Sequence, residues 1–355
     1  MNDGVNVHDF LNISGGAERL FAIAANSVFP NFEVKSFGYN DATVADLGIK
    51  KTVSPILGLR IPYNLRKPLS PVIQRLALGI SFDCPAFVSS YAFAHLVNAP
   101  VKLVYSHSPM RQIWNHSEIY SKEQNSLSQK LSEPLLALMR ETDLRGVTGS
   151  SFYIASSKKV ASRIEHFYNR KPIAIIPPPV SNSFYNYAFE ETEGYWIWAG
   201  RLVEPYKAIG KVIEAFRGNS ERLIIVGRGD ARAKLMRGAP SNVRFLDQVP
   251  QPQLMRLVSR SAGLIYPGEE DFGMLPMEAL ALGIPVVINE RSGCADYIKV
   301  GAIELAEVNP DSIKLAMELI KRQSFDRKQL RSSVVDFSEV NFCNKLKEIA
   351  KTCFI

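Results

Sequence analysis

One stretch in the second half of this 355-residue chain sets the expected architecture. It reads Ala262-Gly-Leu-Ile-Tyr-Pro-Gly-Glu-Glu-Asp-Phe-Gly-Met-Leu-Pro-Met-Glu-Ala-Leu-Ala-Leu-Gly-Ile-Pro-Val-Val-Ile288. Two short apolar runs, 262–266 and 284–288, flank an acidic, glycine-containing loop and a helical pattern over Leu275–Leu282. Short apolar runs joined by a helix are typical of parallel strands buried on both faces. The stretch therefore predicts a strand–helix–strand unit.

The same alternation extends outward in both directions. In the second half it predicts further strands at 195–200, 223–227 and 243–246, and helices at 208–216, 231–237 and 253–260. In the first half it predicts strands at 85–89, 101–105, 152–155 and 173–176, and helices at 16–27, 117–142 and 158–168, with Pro134 breaking or kinking the second of these. The chain is therefore predicted to be an α/β protein with two Rossmann-like, doubly wound sheets.

A proline run divides the two sheets. Pro177-Pro-Pro179 lacks backbone donors and cannot extend a strand. We therefore expect an N-terminal domain over 1–178 and a C-terminal domain over 179–335, with a last helix, about 336–355, that packs back on the first domain. Open parallel sheets bind ligands at the carboxyl ends of their strands, so two such domains are expected to face a central cleft.

Composition excludes several classes of protein. Hydrophobic residues make up 46 % and charged residues 22 %, which is ample apolar surface for folded domains. The four cysteines show no paired spacing, which favours reduced thiols over a disulfide framework. The N-terminus lacks the pattern of a signal peptide, and no uninterrupted run of 18 apolar residues occurs. We therefore expect a cytoplasmic protein, either free or peripheral at a membrane.

The positive charge is concentrated in the first half. The chain carries a net charge of +7, whereas residues 51–178 alone hold 16 basic and 7 acidic residues, a net of +9. Such a surface suits an anionic partner, and a plain solvated basic surface is the alternative. The segment Tyr63–Ala77 mixes cations with Leu, Val and Ile, so it either lies on anionic lipid or faces the core. No zinc-finger spacing or RNA-binding aromatic pattern points to nucleic acid.

The loop at 267–279 is the strongest candidate for a site. Backbone amides of Gly273, Met274 and Leu275 would point out of a helix start, which suits a phosphate. Carboxylates repel phosphate, so Glu270 and Glu278 are better explained as acceptors for the hydroxyls of a sugar and a ribose. The alternative is that Glu270 and its acidic neighbours cap the helix.

A second loop supplies cations. In Gly200-Arg-Leu-Val-Glu-Pro-Tyr-Lys207, Arg201 follows a strand and Lys207 precedes a helix. Two cations across one loop can clamp a diphosphate and neutralise the charge that develops on a leaving nucleoside diphosphate. Two ordinary surface cations are the alternative.

Three weaker signals lie in other loops. Gly227 begins a Gly-x-Gly turn after a strand, and Gly16 lies in a glycine pair that either admits a phosphate or forms a tight turn. His107 follows a strand and can bond a sugar hydroxyl, assist proton transfer, or simply bond backbone in its turn. The sequence shows no set of residues with metal-ligand spacing and no phosphate-binding P-loop.

Taken together, these motifs resemble glycosyltransferase family 4, the retaining GT-B transferases. Arg201 and Lys207 followed by Glu270-Asp-Phe-Gly-Met-Leu-Pro-Met-Glu278 look like the family's signature. Gly15-Gly-Ala-Glu-Arg19 and Tyr105-Ser-His-Ser-Pro-Met-Arg111 are similar to motifs of bacterial mannosyltransferase-like members. The resemblance covers about residues 5–300, but the first strand, Val5–His8, is short and polar where the family has a hydrophobic run.

The resemblance implies roles for individual residues. Arg201 and Lys207 would bind the donor diphosphate, Glu270 the hydroxyls of the donor sugar, and Glu278 the ribose. Gly16 would lie over the phosphates, and His107 would contact the transferred sugar. Val249, with Asp247 and Gln248, would lie beside the nucleobase, and Gly200 and Gly227 would belong to the donor loops. The backbone along the sugar and diphosphate would be that of Phe272, Gly273, Met274 and Leu275.

It also implies an activity. The chain would transfer a sugar, with mannose favoured, from a nucleotide-sugar to a glycan or lipid-diphosphate-linked acceptor in polysaccharide or O-antigen-type biosynthesis. GDP-mannose is favoured over a UDP-sugar, no metal or other cofactor is expected, and the enzyme would be peripheral at the inner membrane face. The alternatives are another GT-B enzyme, such as a sugar-nucleotide epimerase, and a catalytically inactive nucleotide-sugar-binding subunit.

Overall fold

The chain folds into two compact units. The computed structural model describes residues 3–114 and 126–354. Unit 1 comprises Met1–Pro178 with Val340–Ile355, and unit 2 comprises Pro179–Glu339.

Unit 1 is built on a seven-stranded sheet in which every paired strand is parallel. The strand order is β3-β2-β1-β4-β5-β6-β7, so the order reverses between β1 and β4. The strands are β1 Val5–Leu11, β2 Glu33–Tyr39, β3 Val53–Pro55, β4 Ala86–Ser90, β5 Lys102–Ser106, β6 Ser151–Ala155 and β7 Ala174–Ile175.

Unit 2 repeats this plan with six parallel strands. Their order is β10-β9-β8-β11-β12-β13, so the reversal lies between β8 and β11. The strands are β8 Trp196–Ala199, β9 Leu223–Val226, β10 Val243–Leu246, β11 Gly263–Tyr266, β12 Val286–Asn289 and β13 Ala302–Leu305. The predicted α/β class with two doubly wound parallel sheets is confirmed.

Helices cover both faces of each sheet. Neighbouring residues of one strand enter different cores: Phe87 and Val88 in unit 1, and Ile197 and Trp198 in unit 2. The helices are α1 Gly16–Ser27, α2 Asp41–Asp46, α3 Ser70–Leu78, α4 Arg111–Trp114, α5 Ser126–Arg145, α6 Lys158–Tyr168, α7 Asn182–Tyr185, α8 Ile209–Ala215, α9 Arg232–Arg237, α10 Gln251–Ser259, α11 Met274–Ala281, α12 Pro310–Arg322, α13 Arg327–Ser333 and α14 Glu339–Cys353.

Some predicted boundaries need correction. The predicted helix 117–142 is observed as α5, which runs through Pro134 rather than ending there. Its predicted first part, residues 117–125, lies outside the described residues. Strands β2, β3 and β13 were not predicted, because polar residues alternate with apolar ones in these segments and make them resemble loops. In the described part of the chain, no helix is both long and apolar enough to cross a bilayer.

The last helix, α14, belongs to unit 1. Phe342 lies edge-on to Tyr105 of β5 at 5.9 Å between ring centroids, and Leu346 and Ala350 are fully buried in the same core. This core also contains Phe29, whose ring lies 6.0 Å from that of Phe354 just after the helix.

The polar first strand is central in its sheet, with β2 on one side and β4 on the other. It is buried along its whole length, including Asn6, His8 and Asp9. Asn6 donates through Nδ2 to the carbonyl of Phe29, at 3.1 Å. Nδ2 of Asn6, Nδ1 of His8 and the Asp9 carboxylate each have a hydrogen-bond partner, whereas Oδ1 of Asn6 and Nε2 of His8 have none among the described residues. The partners of the first three groups offset part of the cost of burying a polar strand in the middle of the sheet.

The Asp9 carboxylate organises the turn after β4. Its two oxygens accept backbone N–H groups at 2.6–2.9 Å and the Ser90 hydroxyl at 3.3 Å. The four backbone donors belong to Tyr91, Ala92, Phe93 and Ala94. Charge-assisted bonds of this kind are stronger than neutral ones, so a single carboxylate joins the end of β1 to the turn after β4.

We therefore predict that Asp9→Ala lowers the free energy of unfolding by about 3–5 kcal/mol, because it leaves several buried N–H groups without an acceptor. Urea denaturation measures the loss. The matched control Asp83→Ala removes an exposed carboxylate and should change stability by about 0.5 kcal/mol or less. Equal stability of both variants would contradict this role for Asp9.

Candidate functional site

The candidate site of unit 2 lies where its strand order reverses. Gly200 follows β8, and Pro267 follows β11, the strand that pairs with β8. Doubly wound sheets bind ligands at this place, outside the carboxyl ends of the strands. The topology therefore brings the loops 200–208 and 267–273 to the same edge of the sheet.

A buried ion pair joins the two loops. Nζ of Lys207 donates to Oε1 of Glu270 and, at 3.2 Å, to the hydroxyl of Tyr266. Lys207 is only 7 % exposed, so the alternative of a surface cation is wrong for this residue. Arg201 is exposed at the end of β8. The structure thus brings Lys207 and Glu270 into direct contact.

The surroundings keep the Lys207 ammonium protonated. Burial by itself lowers the pKa of the Lys207 ammonium, but the Glu270 carboxylate and the hydroxyls of Tyr266 and Tyr206 reverse this and raise the pKa above its ordinary value. Burial raises the pKa of Tyr266 to about 12, so its hydroxyl keeps its proton at neutral pH. A fixed positive charge in a site with little water can stabilise an anion more strongly than an exposed lysine can.

Gly273 forms the turn into α11. It is the residue before the helix and has φ of +94°, a left-handed conformation that glycine adopts without strain. A Cβ atom here would lie 3.3 Å from Sγ of Cys294. The carbonyl of Phe272 accepts the N–H of Cys294 at 2.7 Å, and the carbonyl of Glu270 accepts that of Gly293 at 3.1 Å.

The acidic loop does not cap the helix in the way the alternative supposed. The N-cap is Gly273, which has no side chain, and the carboxylate of Glu270 bonds Lys207 instead. Met274 and Leu275 are the first two residues of α11 and are both partly exposed. Their N–H groups belong to the first helical turn, which lacks backbone acceptors within the helix and favours an anion.

Two other predicted residues are buried beside this turn. Glu278 is 2 % exposed within α11, and Phe272 is 6 % exposed, with its ring centroid 5.9 Å from that of Tyr297. The Cys294 thiol lies next to Gly273, but burial raises its pKa far above the neutral range. Cys294 is therefore a packing residue here and not a thiolate nucleophile.

The two glycines after β8 and β9 allow a close approach of backbones. Gly227 has φ of +141°, and a Cβ atom on it would lie 1.9 Å from the carbonyl oxygen of Gly200. Gly200 donates its N–H to Val226 at 3.0 Å. No other residue type fits at Gly227, so this position shapes the edge of the site whether or not it touches a ligand.

The predicted nucleobase loop follows β10. Val249 is partly buried, and Asp247 accepts Arg228 at 3.2 Å and Arg232 at 3.3 Å. Arg232 also donates to the carbonyls of Gly227 and Leu246, at 3.3 and 3.2 Å. This network fixes the loop relative to the glycine turn after β9.

The predicted residues of unit 1 lie at the corresponding reversal of its own sheet. Gly15 precedes α1, and a Cβ atom on it would lie 2.5 Å from Oε2 of Glu18; Gly16 is the first residue of the helix. His107 follows β5, and its Nε2 lies 2.8 Å from the hydroxyl of Ser89 at the end of β4. The ring therefore bonds a side chain, not the backbone of its own turn.

The ring of His107 is neutral at physiological pH. Burial, with a smaller contribution from the neighbouring His8, lowers the pKa of His107 to about 3. A neutral ring can form hydrogen bonds or accept a proton, so of the proton-transfer roles only that of a base is compatible with this pKa.

Several residues of these sites escaped the sequence analysis. Tyr266 was assigned to a strand and Ser89 to the end of another, without a role for either hydroxyl. Asp9, Glu18 and His8 were not singled out as a group, because their partners Ser89 and Tyr91 reach them only through the pairing of β1 with β4. Among the described residues, no group of His, Cys, Asp or Glu is arranged to hold a metal ion.

We predict that Lys207→Met and Glu270→Gln each lower the free energy of unfolding by about 3–5 kcal/mol, because each leaves one buried charge unpaired. The double variant should lose less than the sum, since neither charge remains. Denaturation of all four proteins gives the coupling energy, and additive losses would contradict the pairing. The raised Lys207 pKa keeps this stabilisation fully present below about pH 10.4 and removes it only as pH rises through the folded-state value.

Comparisons with known proteins bear on this site and on the fold. Residues 181–334 match the model of the family described as glycosyl transferases group 1. The O-antigen chain mannosyltransferase RfbU of Salmonella typhimurium is 32 % identical over 141 residues, which are 37 % of this chain and 39 % of RfbU. The phosphatidyl-myo-inositol mannosyltransferase of Mycobacterium leprae is 29 % identical over 133 residues, covering 35 % and 36 %. The chain thus matches little more than a third of the length of these relatives.

A solved structure extends the likeness to nearly the whole chain. The Anabaena protein Alr3699/HepE, in complex with UDP-glucose, matches with a TM-score of 0.72 at 14 % identity, over 98 % of this chain and 99 % of that one. At this identity the match shows the fold alone. The chain has the GT-B fold, and its second unit carries the match to glycosyl transferases group 1.

Proposed function

We propose that this protein is a retaining glycosyltransferase, similar to family 4, that transfers a sugar from a nucleoside diphosphate to a hydroxyl acceptor. The observation that carries the proposal is the buried Lys207–Glu270 pair at the strand reversal of unit 2, directly before the helix start at Gly273. The pair combines an anion-stabilising cation with a hydroxyl-accepting carboxylate, which are the two groups that a sugar diphosphate needs. The match of this unit to glycosyl transferases group 1 supports it.

Different residues bind the diphosphate and the two sugar rings of the donor. Lys207, Arg201 and the N–H groups of Met274 and Leu275 bind the diphosphate, while Glu270 accepts hydroxyls of the sugar and Glu278 those of the ribose. The bond between the anomeric carbon and the phosphate oxygen breaks as the acceptor oxygen attacks from the same face. The acceptor proton passes to the departing phosphate oxygen. The cations stabilise the negative charge that grows there, so no metal is required.

The donor is GDP-mannose in preference to a UDP-sugar. Both curated relatives described above are named as mannosyltransferases, and their identity to this chain is 29–32 %. The Anabaena structure holds UDP-glucose at 14 % identity, which makes UDP-sugars the competing class. The acceptor is a glycan or a lipid-diphosphate-linked sugar in polysaccharide or O-antigen-type synthesis.

The donor assignment predicts a clear ranking in a thermal-shift panel. GDP-mannose at about 100 times its dissociation constant should stabilise the protein by about 2.7 kcal/mol, and UDP- and ADP-sugars at equal concentration by less. A larger shift with a UDP-sugar would overturn the choice of GDP-mannose and leave the transferase proposal intact.

Activity gives the separate test of transfer. In buffer with EDTA, release of nucleoside diphosphate should fall by about 10²–10³-fold in Lys207→Ala and in Glu270→Ala. The control Lys211→Ala removes a cation of the neighbouring helix, bonded to a backbone carbonyl, and should stay near wild-type activity. Full activity of either site variant would contradict the roles given to them. An epimerised free donor would identify an epimerase, and donor binding without turnover an inactive subunit.

We also propose that unit 1 binds an anionic membrane surface, and an exposed apolar stripe supports this. Leu65, Leu69, Val72 and Leu76 follow one another at helical spacing and are 38–54 % exposed, whereas Ile73 and Ala77 of the same segment are buried. Lys67 and Arg75 beside this stripe are exposed, and no acidic residue occurs between positions 47 and 82. An exposed apolar stripe flanked by cations suits the surface of an anionic bilayer. The segment thus faces both the core and the outside.

Vesicle flotation tests this partner. Wild-type protein should float with phosphatidylglycerol vesicles and not with phosphatidylcholine vesicles, and Leu69→Glu/Leu76→Glu should reduce binding about tenfold or more. The control Leu315→Glu/Val340→Glu makes the same charge change at two other exposed positions and should bind like the wild type. Unchanged vesicle binding of Leu69→Glu/Leu76→Glu would overturn the membrane assignment. So would a variant that no longer forms a dimer but still binds vesicles.

A further inference from the structure

A groove on the surface of unit 2 lies between two segments that are distant in the sequence. Residues 182–189, which contain α7, line one side, and α13 with residues 335–338 lines the other. The groove has a volume of about 530 Å³, which is in the size range of sites for small molecules. We call it the α13 groove.

Two hydrogen bonds join the sides of the α13 groove. The hydroxyl of Tyr185 donates to the carbonyl of Val334 at 2.6 Å, and Nη2 of Arg331 donates to the carbonyl of Tyr187, also at 2.6 Å. Both bonds run from one side to the other, so the groove exists before any ligand binds.

The lining of the groove combines apolar surface with cations. Tyr185, Phe189 and Val335 supply the apolar part, and Val335 is 54 % exposed. Lys328 and Arg331 line the same groove, and the Arg331 guanidinium lies 3.9 Å from the centre of the Phe189 ring. A guanidinium beside an aromatic face suits a ligand that is anionic at one end and apolar at the other.

The cations of α13 have no carboxylate partner. Arg327 and Arg331 donate only to backbone carbonyls, which are those of Tyr187, Glu190, Ser259, Ala281 and Leu282. In the described part of the chain, no residue forms an ion pair with Arg327, Arg331 or the exposed Lys328. Partly buried charges are normally paired, so three cations within this short helix leave a local excess that an anion can neutralise.

The two arginines also act on each other. Burial lowers the pKa of both, the charge of Arg331 lowers the pKa of Arg327 further, and the Glu190 carboxylate opposes this only in part. Glu190 is itself bonded to Arg260 at 2.6 Å. A guanidinium keeps its proton at physiological pH, so the repulsion between the arginines persists until a negative charge arrives.

Three carboxylates lie close to the groove in the sequence. Asp326 caps the start of α13, and Asp336 and Glu339 act on the hydroxyl of Tyr185, whose pKa is raised mainly by burial. None of these carboxylates belongs to the lining. The residues that line the groove therefore carry two positive charges and no negative one.

We propose that the α13 groove binds a small organic anion, which carries a phosphate or carboxylate group on an apolar body. Arg331 and Lys328 hold the anionic group, and the apolar body packs on Tyr185, Phe189 and Val335. Nη1 of Arg331 forms no hydrogen bond with any of the described residues, so its N–H groups can serve the anion. Such a ligand neutralises the excess charge and covers the exposed apolar surface together.

This groove is separate from the candidate donor loops. Nε of Arg331 donates to the carbonyl of Ala281, the last residue of α11, whereas Gly273 precedes the first residue of that helix. A helix of this length spans about 12 Å, so the two places lie at opposite ends of α11. The proposal therefore does not depend on the transferase function, and a nucleotide-sugar should not compete with the anion.

Fluorescent probes test the site in the full-length protein. Anilinonaphthalene sulfonate carries one anionic group on an apolar ring system, and phenylnaphthylamine is the same ring system without the sulfonate. Because the cations add charge-assisted bonds, we expect the sulfonate to bind one saturable site about tenfold more tightly than the neutral probe. Equal affinity of the two probes would overturn the proposal, since the groove would then be an apolar surface only.

Competition tests the ligand class and the place of binding. Phenyl phosphate or benzoate should displace the sulfonate probe, whereas benzyl alcohol and GDP-mannose at equal concentration should not. Failure of both anions to compete would overturn the proposal. Displacement by GDP-mannose would do so as well, because it would place the probe in the donor loops.

Variants at exposed lining positions locate the probe. Lys328→Glu and Val335→Glu should each weaken binding of the sulfonate probe about tenfold and keep wild-type stability in denaturation. The control Lys234→Glu makes the same charge change on exposed α9 and should bind like the wild type. Wild-type affinity in both groove variants would contradict the assignment. A groove variant that changes the oligomeric state and not the affinity for the probe would assign the groove to a second copy of the chain instead.

Discussion

The ion pair between Lys207 and Glu270 ties the loop after β8 to the loop after β11. Both groups are largely removed from water, so neither can leave the other without a large cost in stability. This constraint fixes the start of α11, because Gly273 and Phe272 lie on the same loop as Glu270. The N–H groups of the first helical turn and the cation are thus held at one edge of the sheet before any ligand arrives, which is the arrangement that electrostatic catalysis requires.

In unit 1, polar side chains of the central strand β1 connect that strand to β4. Asp9 organises the turn after β4, and His8 reaches Ser89 on the same neighbouring strand. In both units the functional groups cluster where the strand order reverses, because neighbouring strands there are far apart in sequence and their loops diverge to opposite faces. The charges of unit 2 suit an anion, whereas the neutral His107 of unit 1 suits a hydroxyl.

Between residues 195 and 289 of unit 2, local sequence patterns predicted the strands and helices to within about two residues, because buried parallel strands are short and apolar. The elements of unit 2 outside this range, including β13, were not predicted. The patterns also marked Lys207 and Glu270 separately. Their contact could not be predicted, since it depends on β8 pairing with β11 rather than with its sequence neighbour alone. The polar character of the first strand, Val5–His8, could not be explained from the sequence for the same reason: the groups that bond Asp9 and Nδ1 of His8 lie more than 80 residues away along the chain.

We propose that the two loops joined by Lys207 and Glu270 bind a nucleotide-sugar. Hydrogen–deuterium exchange with and without GDP-mannose is the direct test, with a UDP-sugar as the second ligand. We expect whichever donor binds to slow exchange in peptides covering 200–208 and 267–275 of the wild type, and not in Lys207→Ala. A donor that binds and protects other parts of the chain, with these two loops unchanged, would contradict it.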